Sequence, residues 1–324
     1  MTLHINETEV RSLLTMPMAL EAVEDSLRKQ GRGEVLVQPR RRFELPHGFF
    51  HYMAAADYAG GYVAEKQYTY VSGKIRFLVL LYEIATGDLL AQIEADYMGQ
   101  LRTGAASGVA TKFLSRAGAR VAAVIGTGGQ ARTQLEAVAG VRKLESARAY
   151  GRDVARREKF CSEMAQCLGI PVYAASSAPE AAKGADIVCT ATTASQPVIT
   201  GADIAPGMHL NAIGVNHANK RELDGEAVSR ANIIVADSIE QSKQEAGDLI
   251  MAFDGDVARW SAVKRLADVV EGKEPGRSDD TQVTLFKSNG IASWDLAVAV
   301  KVLALAREKG LGRKLPLWTD TRST

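Results

Sequence analysis

The spacing of apolar residues changes character about a third of the way along the chain. Over residues 17–31, Met18, Ala22, Val23 and Leu27 recur at helical intervals. Pro17 suits the first turn of that helix and Gly31 its stop. Short runs with the period of a strand follow at 42–45, 49–54, 62–71 and 77–82. The turn Thr86-Gly87-Asp88 predicts a hairpin joining 77–84 to 89–94, and a helix over about 103–114 leads out of it. This first part reads as α+β with an antiparallel sheet.

From Arg120 the rhythm becomes strand, helix, strand. Apolar runs at 121–125, 147–150, 186–190, 209–213 and 233–236 are separated by helical or loop segments, which predicts a parallel doubly wound sheet. A long helix over 293–309 carries Leu296, Val300, Leu303 and Ala304 on one face. It is expected to return to the first domain, because the second is complete before it. Residues 271–280, rich in Gly, Pro and charge, predict an exposed loop. The fold class is α/β: a Rossmann-type doubly wound parallel sheet plus an α+β domain. The domains run over 1–115, completed by 293–324, and over 116–292.

The 324 residues are enough for two such cores, and the apolar and charged fractions are those of an ordinary globular chain. Basic and acidic side chains balance at 39 to 38, which argues against nucleic acid or an anionic membrane surface as partner. Cys161, Cys167 and Cys189 lack metal-ligand spacing, and their odd number argues against a disulfide framework. No metal site is expected. The start of the chain lacks a charged segment followed by an apolar one, and no apolar run approaches the roughly 20 residues of a membrane span. The cytoplasm is the default expectation.

One segment then adds chemistry. The run 119–131 reads as buried strand, glycine turn and helix start. Gly126, Gly128 and Ala131 fit the G-x-G-x-x-G/A fingerprint of a dinucleotide site. Gly126 allows the tight turn, Gly128 lets a pyrophosphate approach the backbone, and Ala131 lets the helix pack close to the sheet. Thr127, Gly129 and Gln130 complete the turn, whose free N–H groups suit phosphates. Where the next strand ends, Gly151 stands in a position where an NAD enzyme often has a carboxylate, and Arg152 follows, with Arg156 and Arg157 a turn later. That favours NADP(H), with NAD(H) the alternative if Asp153 turns in. A solvated helix face would explain the same arginines. Thr190 and Thr192 end a later strand, where small hydroxyl residues often line such a cleft.

The first domain holds cations in apolar or small-residue settings: Arg40–Arg42 after Pro39, Lys66 in an aromatic strand, and Arg102 in a helix of small residues. Such cations point to an anion, and an arginine fork matches a planar carboxylate. Taken singly, Arg41 reads equally as surface charge, Lys66 as a snorkelling side chain, and Arg102 as a partner of Asp96.

The chain resembles the ornithine cyclodeaminase/μ-crystallin family over nearly its whole length. The resemblance rests on Pro39-x-Arg41, Lys66, the run 101–107 (LRTGAAS), the glycine turn, Ile213-Gly214, the run 220–224 (KRELD) and the run 284–297. It implies that the α+β domain binds substrate and forms a homodimer, that a nicotinamide cofactor is held, and that the substrate is an α-amino acid or its imine. It also implies that Arg41, Lys66 and Arg102 hold the substrate carboxylate, that Gly214 joins the cofactor site, and that Ser288, Asn289 and Gly290 approach the nicotinamide.

Cyclodeaminases and the related alanine dehydrogenase carry an Asp where this chain has Asn216. An amide cannot take a proton as that carboxylate can, though it can orient an imine nitrogen. The pattern is similar to the family's Δ1-pyrroline-2-carboxylate and Δ1-piperideine-2-carboxylate reductases. It implies reduction of a small cyclic imino acid to the L-amino acid, with Lys66 and Asn216 as the catalytic residues. The proton donor is Lys66 or a bound water; His217 is a further candidate, or simply a loop residue. Ornithine cyclodeamination, amino acid dehydrogenation and cofactor-dependent binding without turnover are the alternatives.

Overall fold

The structure is a computed structural model that describes residues 1–317. Residues 318–324, the end of the expected 293–324 segment, lie outside the described residues. The chain divides into two compact units: 1–102 with 291–324, and 103–290. The divisions fall at 102/103 and 290/291, rather than at 115/116 and 292/293.

The first unit contains β1 (Thr2–Ile5), β2 (Val35–Leu45), β3 (Gly48–Asp57), β4 (Tyr62–Val71), β5 (Lys74–Glu83) and β6 (Leu89–Glu94). With the closing strand Arg313–Leu315 they form one sheet, ordered Arg313–Leu315, β1, β6, β5, β4, β3, β2. The hairpins are antiparallel, as the alternation and turns predict, while β1 lies parallel to β6. Helix α1 (Glu7–Leu13) starts at a capping box in which Asn6 and Glu9 each bond the other's backbone N–H. Helix α2 (Met16–Arg32) runs through Gly31 and stops at Gly33, whose φ of 82° suits glycine. The long C-terminal helix (Ala292–Glu308) packs on α2, β3 and β4. It buries Ala292, Asp295, Ala299, Val302 and Ala306 along one stripe.

Helix α3 (Asp96–Leu114) begins two turns earlier than its small-residue run suggests and crosses the division between the units. The second unit contains β7 (Val121–Ile125), α4 (Gly129–Val141), β8 (Ser146–Tyr150), α5 (Val154–Leu168), β9 (Val172–Ala174), β10 (Ile187–Thr190), β11 (His209–Ala212), β12 (Ile233–Ala236), β13 (Lys264–Arg265) and β14 (Thr284–Lys287). All eight strands are parallel, ordered β13-β12-β14-β11-β10-β7-β8-β9. Cores of Ala, Val, Ile and Leu lie against the sheet, as expected for parallel strands covered by helices. Gly104 of α3 comes so close to α4 that a Cβ would sit 2.4 Å from the Thr133 carbonyl oxygen. Among the described residues, no helix is long and apolar enough to cross a membrane, and no cluster of His, Cys, Asp and Glu could hold a metal ion.

Candidate active site

In the first unit, sheet register assembles a buried group of charges. Lys66 on β4 lies opposite Met53 on β3 and Val79 on β5. Its side chain is 3% exposed, and its Nζ donates to Asp295 Oδ1 at 2.8 Å. Arg102 Nε on α3 donates to the same oxygen at 3.1 Å. Gly99, one turn before Arg102, leaves space for the ammonium; a Cβ there would lie 3.2 Å from Lys66 Nζ. The Phe77 ring faces Nζ at 5.0 Å, and the Trp294 ring faces the Arg102 guanidinium at 5.8 Å. Burial and the positive charges of Arg102 and Arg40 push Lys66 down to about 8, against the pull of Asp295. Arg102 Nη1 and Asp295 Oδ2 are buried without a hydrogen-bond partner among the described residues. A cluster with two or three cations and one carboxylate is suited to a small anion.

The arginine that β2 contributes beside Lys66 is Arg40. Arg41, the residue expected from Pro39-x-Arg41, is exposed. The reason is a β-bulge. Gln38 pairs with Ala54 and Arg41 with Tyr52, so β2 spends three residues where β3 spends two. With an unbroken register Arg41 would fall opposite His51, on the face that buries His51 and Met53. The extra residue turns it outward and leaves Arg40 inside, 9% exposed. Arg102 pairs with Asp295, whereas Asp96 accepts from Gln100.

In the second unit, the strand–turn–helix around Gly126 opens a cleft of about 740 Å³ lined by Gly126–Gly128, Gly151, Arg152 and Thr192, among others. That volume is in the range of small-molecule sites. Gly126 has φ 118°, and a Cβ there would meet the Ala191 carbonyl oxygen at 2.4 Å. Gly128 is the N-cap of α4, and a Cβ there would enter open space. These features leave room for a phosphate group against the free N–H groups of a helix start. Ala131, in the first turn of α4 with Gly129 and Gln130, is fully buried in a core cluster with Ala122 and Val124 of β7. Gly151 is required by Thr127, whose Oγ1 would lie 2.6 Å from a Cβ. Asp153 is occupied as the N-cap of α5, accepting from Arg156 N at 2.9 Å. Arg152 and Arg156 line the cleft and are exposed, while Arg157 donates to the Gly151 carbonyl.

Three buried carboxylates hold loops of the second unit, one of them, Glu222, at Thr192 on the cleft wall, and sequence reasoning missed the role of all three. Glu222 accepts from the Thr190 hydroxyl and Gly214 N, both at 2.8 Å, and from Thr192 N and Oγ1, both at 2.7 Å. Thr190 is therefore turned to Glu222 and does not line the cleft, whereas Thr192 does. Asp248 accepts from Glu222 N and Leu223 N and pairs with Lys287 at 2.8 Å. Lys287 also donates to the Val215 carbonyl at 2.7 Å, which fixes the residue before Asn216. Burial, with the Asp248 charge, pushes Glu222 above the ordinary carboxylate range; Lys287 and the two Thr192 donors oppose it. Asp237 receives Ser288 Oγ at 3.2 Å and the Asn289 and Gly290 N–H groups at 2.7 Å each. Ser288 and Gly290 thus aim these donors at Asp237. Asn216 is half-buried in the loop after β11.

The chain as a whole is similar to known proteins. A model of the ornithine cyclodeaminase/mu-crystallin family matches residues 2–310. A Δ1-pyrroline-2-carboxylate reductase of Bacillus cereus is 37% identical over 242 residues, 74% of each chain. Among solved structures, the Thermococcus litoralis Δ1-pyrroline-2-carboxylate reductase in complex with NADH and L-proline superposes with a TM-score of 0.92. It is 35% identical, with 97% of this chain and 100% of that one covered. An archaeal alanine dehydrogenase dimer with bound NAD gives a TM-score of 0.91 at 33% identity, covering 98% of this chain and 99% of that one.

Proposed function

Because the chain belongs to the ornithine cyclodeaminase/mu-crystallin family, we propose that it is an NAD(P)H-dependent ketimine reductase. Its substrate is a small cyclic imino acid, Δ1-pyrroline-2-carboxylate or Δ1-piperideine-2-carboxylate, and its product the L-amino acid. It acts as a homodimer in the cytoplasm. The observation that carries this reading is the buried pairing of Lys66 and Arg102 with Asp295, with the charge of buried Arg40 acting on Lys66.

The substrate carboxylate binds these cations, with Arg102 Nη1 as the donor left over by Asp295. Binding there fixes the ring and replaces random encounter by a held geometry, the largest contribution this chain can make to the rate. When bound, the reduced nicotinamide supplies a hydride to the imine carbon. Lys66 gives a proton to the imine nitrogen, so C=N becomes CH–NH and Lys66 is left neutral until solvent reprotonates it. A lysine held at about 8 is charged at neutral pH and can still release its proton. Asn216 orients the nitrogen without competing for that proton. Arg152 and Arg156, which line the cleft, would hold a 2′-phosphate and so favour NADPH. NADH is the second reading, supported by the Thermococcus relative solved with that cofactor.

The test is a panel of imino acids with each reduced cofactor, read by cofactor absorbance, beside pyruvate plus ammonia and ornithine. Cyclic imines are expected to be turned over fastest, with NADPH ahead of NADH. Faster turnover of ornithine, or of the oxo acid with ammonia, overturns the assignment.

A further inference from the structure

Asp295 is a charge without an obvious reason on an otherwise apolar helix face. Ala292 lies three residues before it, and Ala299 and Val302 lie four and seven after it; all are buried. A carboxylate there is costly unless paired, and apolar residues of similar volume often serve packing as well or better. Yet Asp295 Oδ1 takes both Lys66 Nζ at 2.8 Å and Arg102 Nε at 3.1 Å, and so ties strand β4, helix α3 and the C-terminal helix together at one atom. Its other oxygen is buried without a hydrogen-bond partner among the described residues.

We propose that Asp295 is a positioning residue: it holds the Lys66 ammonium and the Arg102 guanidinium in place and keeps Lys66 charged for its proton transfer. The assignment rests on the imine-reductase reading for its kinetic consequences, though not for its effect on Lys66 itself.

The surroundings of Lys66 leave this task to Asp295. The charged groups that meet it are Arg40 from β2, Arg102 from α3 and Asp295 from the C-terminal helix. β3 presents Met53 and, two residues earlier, His51; β5 presents Val79 and the Phe77 ring; β4 itself adds Tyr68 on the same face. Two cations and burial thus favour the neutral amine, and Asp295 is the carboxylate opposing them. Remove its charge, and Lys66 should lose its proton at lower pH. Move its oxygen, and Lys66 should stay charged but point elsewhere.

Two variants separate these effects. Asp295→Asn keeps the shape and removes the charge. Competitive acetylation of Lys66 against pH, read by mass spectrometry on the holoenzyme, follows the lysine without any substrate. Its midpoint is expected to fall by roughly one to three pH units in Asp295→Asn. The basic limb of kcat/KM for imine reduction is expected to move down with it. Asp295→Glu keeps the charge but displaces the oxygen. It should leave the acetylation midpoint near that of the native enzyme while lowering kcat about tenfold or more.

An acetylation midpoint unchanged in Asp295→Asn overturns the proposal, as does a uniform loss of rate with no movement of the basic limb. If Asp295→Asn does not fold, Asp295→Glu carries the test: native kcat in that variant contradicts positioning. Absence of imine reduction in the native enzyme, with a lowered acetylation midpoint in Asp295→Asn, would refute the reductase reading and leave the charge effect of Asp295 standing.

Discussion

Arg40 and Arg41 are neighbours in the chain, yet Arg40 is buried within electrostatic reach of Lys66 while Arg41 is exposed. One extra residue in β2 is responsible. The two arginines should therefore differ sharply when each is replaced. Arg40→Gln is expected to raise KM for the imino acid about 10- to 100-fold, the scale of a lost charge-assisted hydrogen bond. Arg41→Gln should change it less than about threefold. Steady-state kinetics on the two variants decides; the reverse order would place Arg41 in the site and contradict the register read here.

The proposed preference for NADPH rests on the end of β8. Asp153 lines the cleft too, but its Oδ1 caps α5, and Arg152 and Arg156 are the cations beside it. Arg152→Ala should weaken NADPH about tenfold or more and leave NADH nearly unchanged. Fluorescence titration of both reduced cofactors measures it. An equal loss for both would assign Arg152 to the shared part of the dinucleotide or to the fold.

In the proposed reaction, Asn216 separates imine reduction from chemistry that needs a base at this position. Asn216→Ala should lower kcat about 10- to 100-fold with a smaller change in KM, because the lost contact orients the reacting nitrogen. Asn216→Asp should add measurable reductive amination of an oxo acid with ammonia, since a carboxylate there can accept a proton. Native rates in Asn216→Ala would remove the residue from the reaction.

Much of this was legible in the sequence, and the exceptions have specific causes. The alternation of β and α in the second unit and the hairpins of the first were plain in the apolar period. Strand β14 was not identified as a strand. It sits between β11 and β12, but its four residues begin with Thr284 and end with Lys287, both buried. Only Leu285 and Phe286 carry an apolar signal. Strand β9 (three residues) and β13 (two residues) are too short for any period. The glycine turn was readable because steric need dictates its residue types. The bulge was not, because one inserted residue leaves no mark in composition, and it puts Arg40 rather than Arg41 on the buried face. Glu222, Asp237 and Asp248 escaped for another reason: their work is to hold backbone N–H groups of distant loops, and such partners are set by tertiary structure. Asp295 left a usable sign, a lone acid on the buried stripe of an apolar helix.

The second unit also carries a built-in acid sensitivity. His209 on β11 is fully buried between Thr284 Oγ1 at 2.9 Å and Asn211 Oδ1 at 3.2 Å. Burial, aided by the Arg277 charge, pushes it down to about 3 from an ordinary 6.5. The unfolded chain therefore binds a proton here that the folded chain refuses. The resulting stability is fully present above about 6.5 and is lost as the pH falls towards about 3. The loss should be on the order of a few kcal/mol. Urea midpoints for the native protein and His209→Gln between these limits test it. The native midpoint should fall more steeply on acidification, and parallel curves would exclude His209 as the cause.

The central claim is that reduced cofactor delivers its hydride to the carbon of a carboxylate-anchored imine. Supplying NADPH deuterated at the transferring C4 position with Δ1-pyrroline-2-carboxylate, and analysing the product by mass spectrometry, reads that transfer directly. The account predicts L-proline carrying a single deuterium at its α-carbon. Proline free of deuterium, or no proline from the imine while ornithine releases ammonia, would contradict it.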